Sequence, residues 1–525
     1  MARRDIFTDA DIRQIEAHGL TAGEALRQLD IFKNPAPYLK LVRPCTKGDG
    51  IRVIEEEMIQ ELIARYENQM PERRCLKFVP ASGAASRMFK ALLGELNKGK
   101  DILRESVENK ARTGQQDRQE LLKFINNTRR FAFFQDLKSV LSNRGLQIDI
   151  LIEEGRFTDV IRFLLAENGL NYANLPKGLL KFHEYVDGSR TAFEEHLVEA
   201  VSYVADQEGP CHLHFAVSPE HMEKFRALLK KIKPAYEKKY PVVFKVDFSV
   251  QKQSTDTIAV DPDNNPFRDE KGRLLFRPGG HGSLIENVND LDVDIIFLKN
   301  IDNVVPDRLK SETFKWKKIL GGYLITLQTE IHGYLENLSS GDADESLLAE
   351  AMTFMNDELC YQVPDAVAIA SFEEKKAFLM ERLNRPIRIC GMVRNEGEPG
   401  GGPFWVQDET GEVSLQIVET AQIDPDSREQ QDILESSTHF NSVDLVCGVR
   451  DWQGRPIDLR NYIDEKAVFI SQKSKDGKGL KALEHPGLWN GAMGRWITIF
   501  VEVPIITFNP VKAVNDLLRK EHQPG

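Results

Sequence analysis

Three kinds of side chain in this sequence could do chemistry together: cations that meet phosphate, a carboxylate that meets a metal, and small residues that let the backbone approach a ligand. The stretch KFVPASGAASRMFK opens as an apolar strand and then turns to small residues before Arg87. At Ser82, Gly83, Ala84 and Ala85 the side chains are small enough for backbone amides to approach phosphate oxygens. Arg87 can then fork onto a phosphate. A tight turn with nothing bound would use the same residues. Further on, NLPKGLLKF places Lys177 ahead of an apolar pair, and RPGGHGSL sets His281 among Gly279, Gly280 and Gly282. The segment IIFLKNIDNVVPD reads as a buried strand that delivers Asp302 between Asn300 and Asn303. A lone carboxylate there suits Mg²⁺, which takes one or two carboxylates and completes its shell with phosphate oxygens and water. His281 reads equally as a base contact, a phosphate contact or a structural residue. His212 and His214 share one face of a strand, with no Cys or acidic neighbour at ligand spacing, and read as packed histidines.

The elements that must carry these groups follow from periodicity. The first seventy or so residues read as helical, with a capping box at Thr21–Glu24 and a break at Pro35 and Pro37. Apolar residues recur at helical spacing between about residues 92 and 170. From Cys211 strands alternate with helices: HLHFAV, then PEHMEKFRALLKKI, then PVVFKVDFSV, and later VDIIFLKN. That alternation predicts a largely parallel α/β sheet, in which ligands sit at the carboxyl ends of strands. Residues 307–384 are mostly helical, and PFWVQDETGEVSLQIVE reads as a hairpin about DETG. The organisation expected is a helical region at 1–70 and a nucleotide-handling domain at 71–525. Helical insertions fall at about 91–172 and 307–384, and a phosphate-contacting segment at about 480–525 that includes a terminal helix, AVNDLLRKE.

Composition narrows the partners. The chain has 525 residues and a net charge of -12, so its overall field favours neither nucleic acid nor an anionic membrane. An anionic substrate would need a local basic pocket. Hydrophobic residues make up 41% and charged residues 29%, and no apolar run is long enough for a bilayer. The N-terminus shows no apolar signal core, and the cysteines at 45, 75, 211, 360, 390 and 447 never fall as CxxC. A cytoplasmic location with reduced thiols is the expectation.

Taken in order, these motifs resemble the nucleotidyltransferases that make nucleotide sugars, and within them the eukaryote-style UDP-sugar pyrophosphorylases, here as a bacterial branch. Ser86, Arg87 and Met88 match the end of that family's small-residue loop. Pro176, Lys177, Leu179 and Leu180 match its Pro-Lys segment, and Pro278, Gly280, His281 and Gly282 its Pro-x-Gly-His-Gly. Asp302 and Asn303 match its Asp-Asn, and Phe508, Pro510, Val511 and Lys512 with Asp516, Leu517 and Leu518 match its C-terminal run. Glu419 in QIVETAQI and the pair Phe440 and Asn441 complete the series. The resemblance implies a Rossmann-like nucleotide-diphospho-sugar transferase core with a mixed, mostly parallel sheet. It implies UTP and a sugar 1-phosphate as substrates and Mg²⁺ as cofactor, held by Asp302. Arg87, Lys177 and Lys512 are then catalytic. Ser82, Gly83, Ala84, Gln251, Gly280 and His281 bind the nucleotide, with Gln253 an equally near match to Gln251, and Glu419 and Asn441 bind the sugar. Ala85 stands where the family has a second glycine. Roughly ninety residues separate the loop from Lys177, where the family has only a few. The sugar stays open between a hexose, an N-acetylhexosamine and a cell-wall sugar. Two alternatives stand beside this reading: transfer with another nucleotide or phosphate acceptor, and a non-catalytic sensor of nucleotide sugars.

Overall fold

The computed structural model describes residues 6–35, 37–112, 114–205, 209–341, 343–397, 400–475 and 477–525. Its fold is mixed α/β, and the chain divides into two compact units. The first comprises Met1–Phe78, Ser249–Leu298 and Lys318–Ile505, and the second Val79–Phe248, Lys299–Lys317 and Ile506–Gly525.

In the first unit the strands lie in the order Thr46–Lys47, Gly50–Arg52, Ile497–Glu502, Ile387–Arg394, His439–Gly448, Ile295–Lys299, Cys75–Pro80. The sheet is mixed and mostly parallel. Ile295–Lys299 runs parallel to Cys75–Pro80, with Phe297 opposite Lys77, and Ile387–Arg394 runs parallel to Ile497–Glu502. Ile387–Arg394 runs antiparallel to His439–Gly448. The IIFLK strand is buried at every residue: its four apolar residues suit a strand covered on both faces, and Lys299 is buried against Glu199.

A long helix spans Lys310–Ser339. Its Gly321 and Gly322 let it approach the Glu56–Gln69 helix closely. A Cβ on Gly322 would fall 2.0 Å from the Leu62 carbonyl oxygen, and one on Gly321 2.6 Å from the Tyr66 ring.

The DETG hairpin is present: Gly401–Gln407 pairs antiparallel with Val413–Glu419. Its turn recurs. Asp261, Asp269, Asp408 and Asp451 each accept at Oδ1 from the amides two and four residues on. The residue three on has positive φ each time: Asn264, Gly272, Gly411 and Gly454. An aspartate that satisfies its own turn, followed by a residue tolerant of left-handed backbone, is a local code that needs no tertiary help. Gly401 and Gly402, in the run GGG, lie within the hairpin strand; Glu398 and Pro399, just before that run, fall outside the described residues.

The Thr21 capping box forms, and its helix, Ala22–Lys33, stops before Pro35. The first seventy residues are not all helical, however. Lys40–Pro44 pairs antiparallel with Gly401–Gln407, and Gly50–Arg52 pairs parallel with Ile497–Glu502. Such short segments carry little periodicity; partners more than 350 residues away make them strands.

The second unit holds the neighbouring strands Pro210–Ala216 and Val243–Ser249, the hairpin Lys181–Tyr185 with Gly188–Thr191, and a helical block from Lys90 to Leu165. Phe124, Phe131 and Phe133 stack in series within that block, and Phe133 meets Tyr172 edge-on. The helix Ala192–Ala200 is buried at all nine positions, although Glu194, Glu195, His196 and Glu199 lie on it. The expected terminal helix is instead a 3₁₀ turn, Val514–Leu518. The Asp516 carboxylate accepts from the amides of Lys512 and Ala513 and closes the chain tightly there.

Candidate functional site

In the second unit, chain segments far apart in sequence are tied into one group. Beyond Pro80 the amide of Ala81 donates to the Ala216 carbonyl, 2.7 Å away, which seats the small-residue loop beside the end of the Pro210–Ala216 strand. Ser82, Gly83, Ala84 and Arg87 are exposed on that loop. The loop is zipped to the lysine segment: Ala84 bridges Pro176, Ala85 N–H donates to the Leu175 carbonyl at 3.0 Å, and Lys177 N–H donates to the Gly83 carbonyl at 3.3 Å. The helical block between the two segments therefore leaves them adjacent.

The Lys177 ammonium donates to Asp302 Oδ2 at 2.6 Å and to the Val511 carbonyl at 2.7 Å. Val511 N–H returns a bond to the Asp302 carbonyl at 3.1 Å, Asn303 bridges Pro510, and Val514 N–H reaches the Met88 carbonyl at 3.1 Å. Lys512 thus sits on a strip pinned at Asp302 on one side and beside Arg87 on the other. A lysine ammonium has three N–H groups. The bonds to Asp302 and Val511 use two of those of Lys177, which leaves one for a ligand oxygen. Gly178 is required here: a Cβ would meet the Phe225 ring at 2.9 Å and Ile301 at 3.2 Å.

Among the described residues no group of three or more His, Cys, Asp and Glu side chains could hold a metal by itself. Asp302 Oδ2 faces Lys177, and among the described residues Oδ1 has no hydrogen-bond partner. One carboxylate with a free oxygen fits Mg²⁺ that arrives with a phosphate chain, and does not fit a resident ion caged by protein.

The first unit carries a second polar group. His281 follows Gly280, whose φ is +81°. The Leu488 amide donates to His281 Nδ1 at 3.0 Å, so the neutral ring carries its proton on Nε2, which lies 3.9 Å from Glu419 Oε1. The ring stacks on Trp489 with centroids 4.3 Å apart, and Asn490 Nδ2 donates to Glu419 Oε1 at 2.9 Å. Beneath, the fully buried Arg388 donates to the Trp489 carbonyl at 2.6 Å and through Nε to Thr498 Oγ1 at 2.8 Å. Gly282 permits the wrap, since a Cβ there would lie 2.0 Å from the Pro486 carbonyl oxygen. Gln251 Nε2 is buried with no partner among the described residues. Asn441 is buried in the His439–Gly448 strand, and its Oδ1 accepts from the amide of Val443, which has φ +53°. Among the described residues no hydrogen bond joins Asn441 to His281 or Glu419.

Sequence reasoning missed Trp489, Asn490, Arg388 and the Val511 carbonyl. HPGLWNG has no spacing that marks it, and a backbone acceptor has no signature at all.

Residues 8–523 match the model of the family described as a domain of unknown function, DUF4301. The chain belongs to that family. No curated protein matches this DUF4301 chain. Among solved structures it is similar to the uridine diphosphate N-acetylglucosamine pyrophosphorylase of Trypanosoma brucei, at 11% identity and TM-score 0.46 over 98% of this chain and 79% of that one. It is also similar to a UDP-glucose phosphorylase of the same organism, at 12% identity and TM-score 0.44 over 97% and 77%. A variant UDP-glucose pyrophosphorylase of Leishmania major gives 11% identity and TM-score 0.43 over 97% and 77%. No helix among the described residues is long and apolar enough to cross a membrane.

Burial holds the His281 pKa below its ordinary 6.5, against the opposing pull of Glu419 and Glu484. Burial lowers His183 and His522 in the same direction. A histidine depressed in the folded state binds more protons when unfolded, so folding stability rises with pH across this range. That stability is present above the unfolded pKa of about 6.5 and is lost as pH falls below it. The urea midpoint is expected to fall between pH 7.5 and 5.5, and to fall less in His281→Asn. An equal fall in both proteins would remove His281 from this account.

Proposed function

We propose that this chain is a nucleotidyltransferase that joins UTP to a sugar 1-phosphate and releases pyrophosphate. The observation that carries the reading is the convergence of the Ser82–Arg87 loop, Lys177, Asp302 and the Lys512 strip in one unit, tied by the Lys177–Asp302 pair. The ordered motifs of the sequence support the same reading.

A sugar phosphate is already an anionic nucleophile, so the site needs no general base. The difficulty is bringing two polyanions into line, and fixed cations address it. Amides of the Ser82, Gly83 and Ala84 loop would receive phosphate oxygens, and Arg87 would fork onto one of them. Lys177, held by Asp302 and Val511, would direct its remaining N–H at the transferred phosphate. Lys512 would meet the phosphate of the incoming sugar. Asp302 would hold Mg²⁺, which when bound supplies Lewis-acid neutralisation of phosphate oxygens. Gly83, Gln251 and Gly280 are assigned to the nucleobase, His281 to base or phosphate, and Glu419 and Asn441 to the sugar. A cytoplasmic location belongs to the same proposal, and the six cysteines, none of them in a disulfide, support it.

The test is a screen of sugar 1-phosphates against the four common nucleoside triphosphates with Mg²⁺, read by pyrophosphate release. Release with UTP and one sugar phosphate is expected. Release with a different nucleotide would redirect the base assignment, and nucleotide-sugar binding without release would make the chain a sensor.

Lys512→Ala is expected to lower kcat about tenfold or more, equivalent to about 1.4 kcal/mol, with a smaller change in UTP affinity. Its charge matters most when both anions are present. Lys512→Arg should recover part of the rate, since a planar fork replaces a mobile point charge. Steady-state kinetics with parallel UTP binding decide the matter; unchanged kcat in Lys512→Ala would make it a surface lysine.

A further inference from the structure

The Ala192–Ala200 helix contradicts the rule that ionisable residues face water. Its acids and its histidine are all buried; Glu194 caps the helix through Thr191, while Glu195, His196 and Glu199 reach the segment that carries Asp302. Glu199 pairs with Lys299 at 3.0 Å, where the strand ends and the loop begins. His196 Nε2 lies 3.2 Å from the Ile301 carbonyl, the residue before Asp302. Glu195 takes Lys310 at 2.5 Å, at the far end of the loop. Lys310 in turn donates to the Val305 carbonyl and to Asp307 Oδ1, each at 2.8 Å. The first residue of the helix reaches the other partner: Ala192 N–H donates to the Leu180 carbonyl, closing the turn that bears Lys177. One buried helix therefore fixes both members of the Lys177–Asp302 pair from beneath.

Within this arrangement Glu195 is the junction. Its Oε1 accepts from the Tyr185 hydroxyl at 2.7 Å and lies 2.9 Å from His183 Nδ1. Arg190 covers the Tyr185 ring and pairs with Asp307 at 2.7 Å. His183 Nε2 meets His522 Nδ1 at 2.9 Å, which ties in the segment that carries Lys512. A buried carboxylate with this many partners is expensive to desolvate, and losing any one of them would leave charge uncompensated in the interior.

We infer that Glu195 is a positioning residue that acts through Lys310 to set the spacing of Lys177 and Asp302 for a metal-bound diphosphate. This rests on the assignment of Asp302 to Mg²⁺. Supporting groups of this kind typically change metal affinity by about 10–100-fold when removed.

The test is calorimetric binding of inorganic pyrophosphate to the full chain, with and without Mg²⁺. The parent is expected to bind more tightly with Mg²⁺. Removing both charges, in Glu195→Gln with Lys310→Met, avoids an unpaired buried ion. That protein should lose about tenfold or more of the Mg²⁺ enhancement, while its metal-free affinity changes by less than about twofold. Glu195→Asp keeps the charge at a shorter reach and should fall between the two. If the double variant fails to fold, Glu195→Asp decides alone. A parent-like Mg²⁺ enhancement in whichever folded variant decides would overturn the inference and leave the helix a packing element. Asp302→Asn runs alongside. Retained enhancement there would instead remove the metal assignment, and the inference with it, as would a parent whose affinity ignores Mg²⁺.

Discussion

Asp302→Ala is expected to fold and to lose Mg²⁺-dependent pyrophosphate release by about 100-fold or more, equivalent to roughly 3 kcal/mol or beyond. Two losses combine. The carboxylate that would hold the metal is gone, and Lys177 keeps the Val511 carbonyl as its partner without the counter-charge. At 14% exposure the ammonium retains access to water, so the fold should survive. Lys177→Ala should cost a similar factor, and the double variant little more than either single change, because the pair acts as a unit. The measurements are pyrophosphate release and thermal denaturation of all three proteins. Full activity in Asp302→Ala would end the proposed role, and strict additivity would separate Lys177 from it.

Gly322→Ala should be among the most destabilising single methyl additions in the first unit. The new Cβ would stand 2.0 Å from the Leu62 carbonyl oxygen and 2.7 Å from its carbon, so the obstacle is backbone and cannot swing aside. Overpacking usually costs about 1–3 kcal/mol, and a backbone collision belongs at or above the top of that range. Gly333→Ala, eleven residues on in the same helix, is the matched control. Nothing lies within 4 Å of its new Cβ, so the gain in helix propensity should stabilise by roughly 0.5–1 kcal/mol. Urea midpoints with unchanged m-values test both. Equal effects at Gly322 and Gly333 would show that the helices do not meet as closely as described.

What the sequence reveals and what it hides differ in physical kind. Ile295–Lys299 is legible because four apolar residues in a row, Ile295 to Leu298, have one good solution, a covered strand, and Asp302 follows from where that strand ends. Thr21 with Glu24, and Asp408 with Gly411, are legible because their partners lie within a few residues. Lys40–Pro44 and Gly50–Arg52 are not, because distant strands make them strands. The segment AVNDLLRKE has helical composition, yet the Asp516 side chain turns the chain before an α-helix can start. In the candidate site, Arg87, Lys177 and Asp302 could be named from type and place, and Lys512 only from the resemblance of its segment. The buried helix beneath them could not, since Glu195 and Glu199 find Lys310 and Lys299 more than ninety residues away.

The strand order of the first unit also governs when that unit can be completed. Gly50–Arg52 has Ile497–Glu502 as its neighbour, so it must wait for a strand made about 445 residues later. On the ribosome, at about 5–20 residues per second, that delay is roughly 20–90 seconds. The aspartate turns can close as soon as they emerge, whereas the pairing across the sheet pays the loop-closure entropy of almost the whole chain. From its own synthesis until Ile497–Glu502 follows about a hundred residues later, the edge of Ile387–Arg394 that the later strand will cover stays open, which makes it a place where a nascent chain needs protection from pairing with another copy.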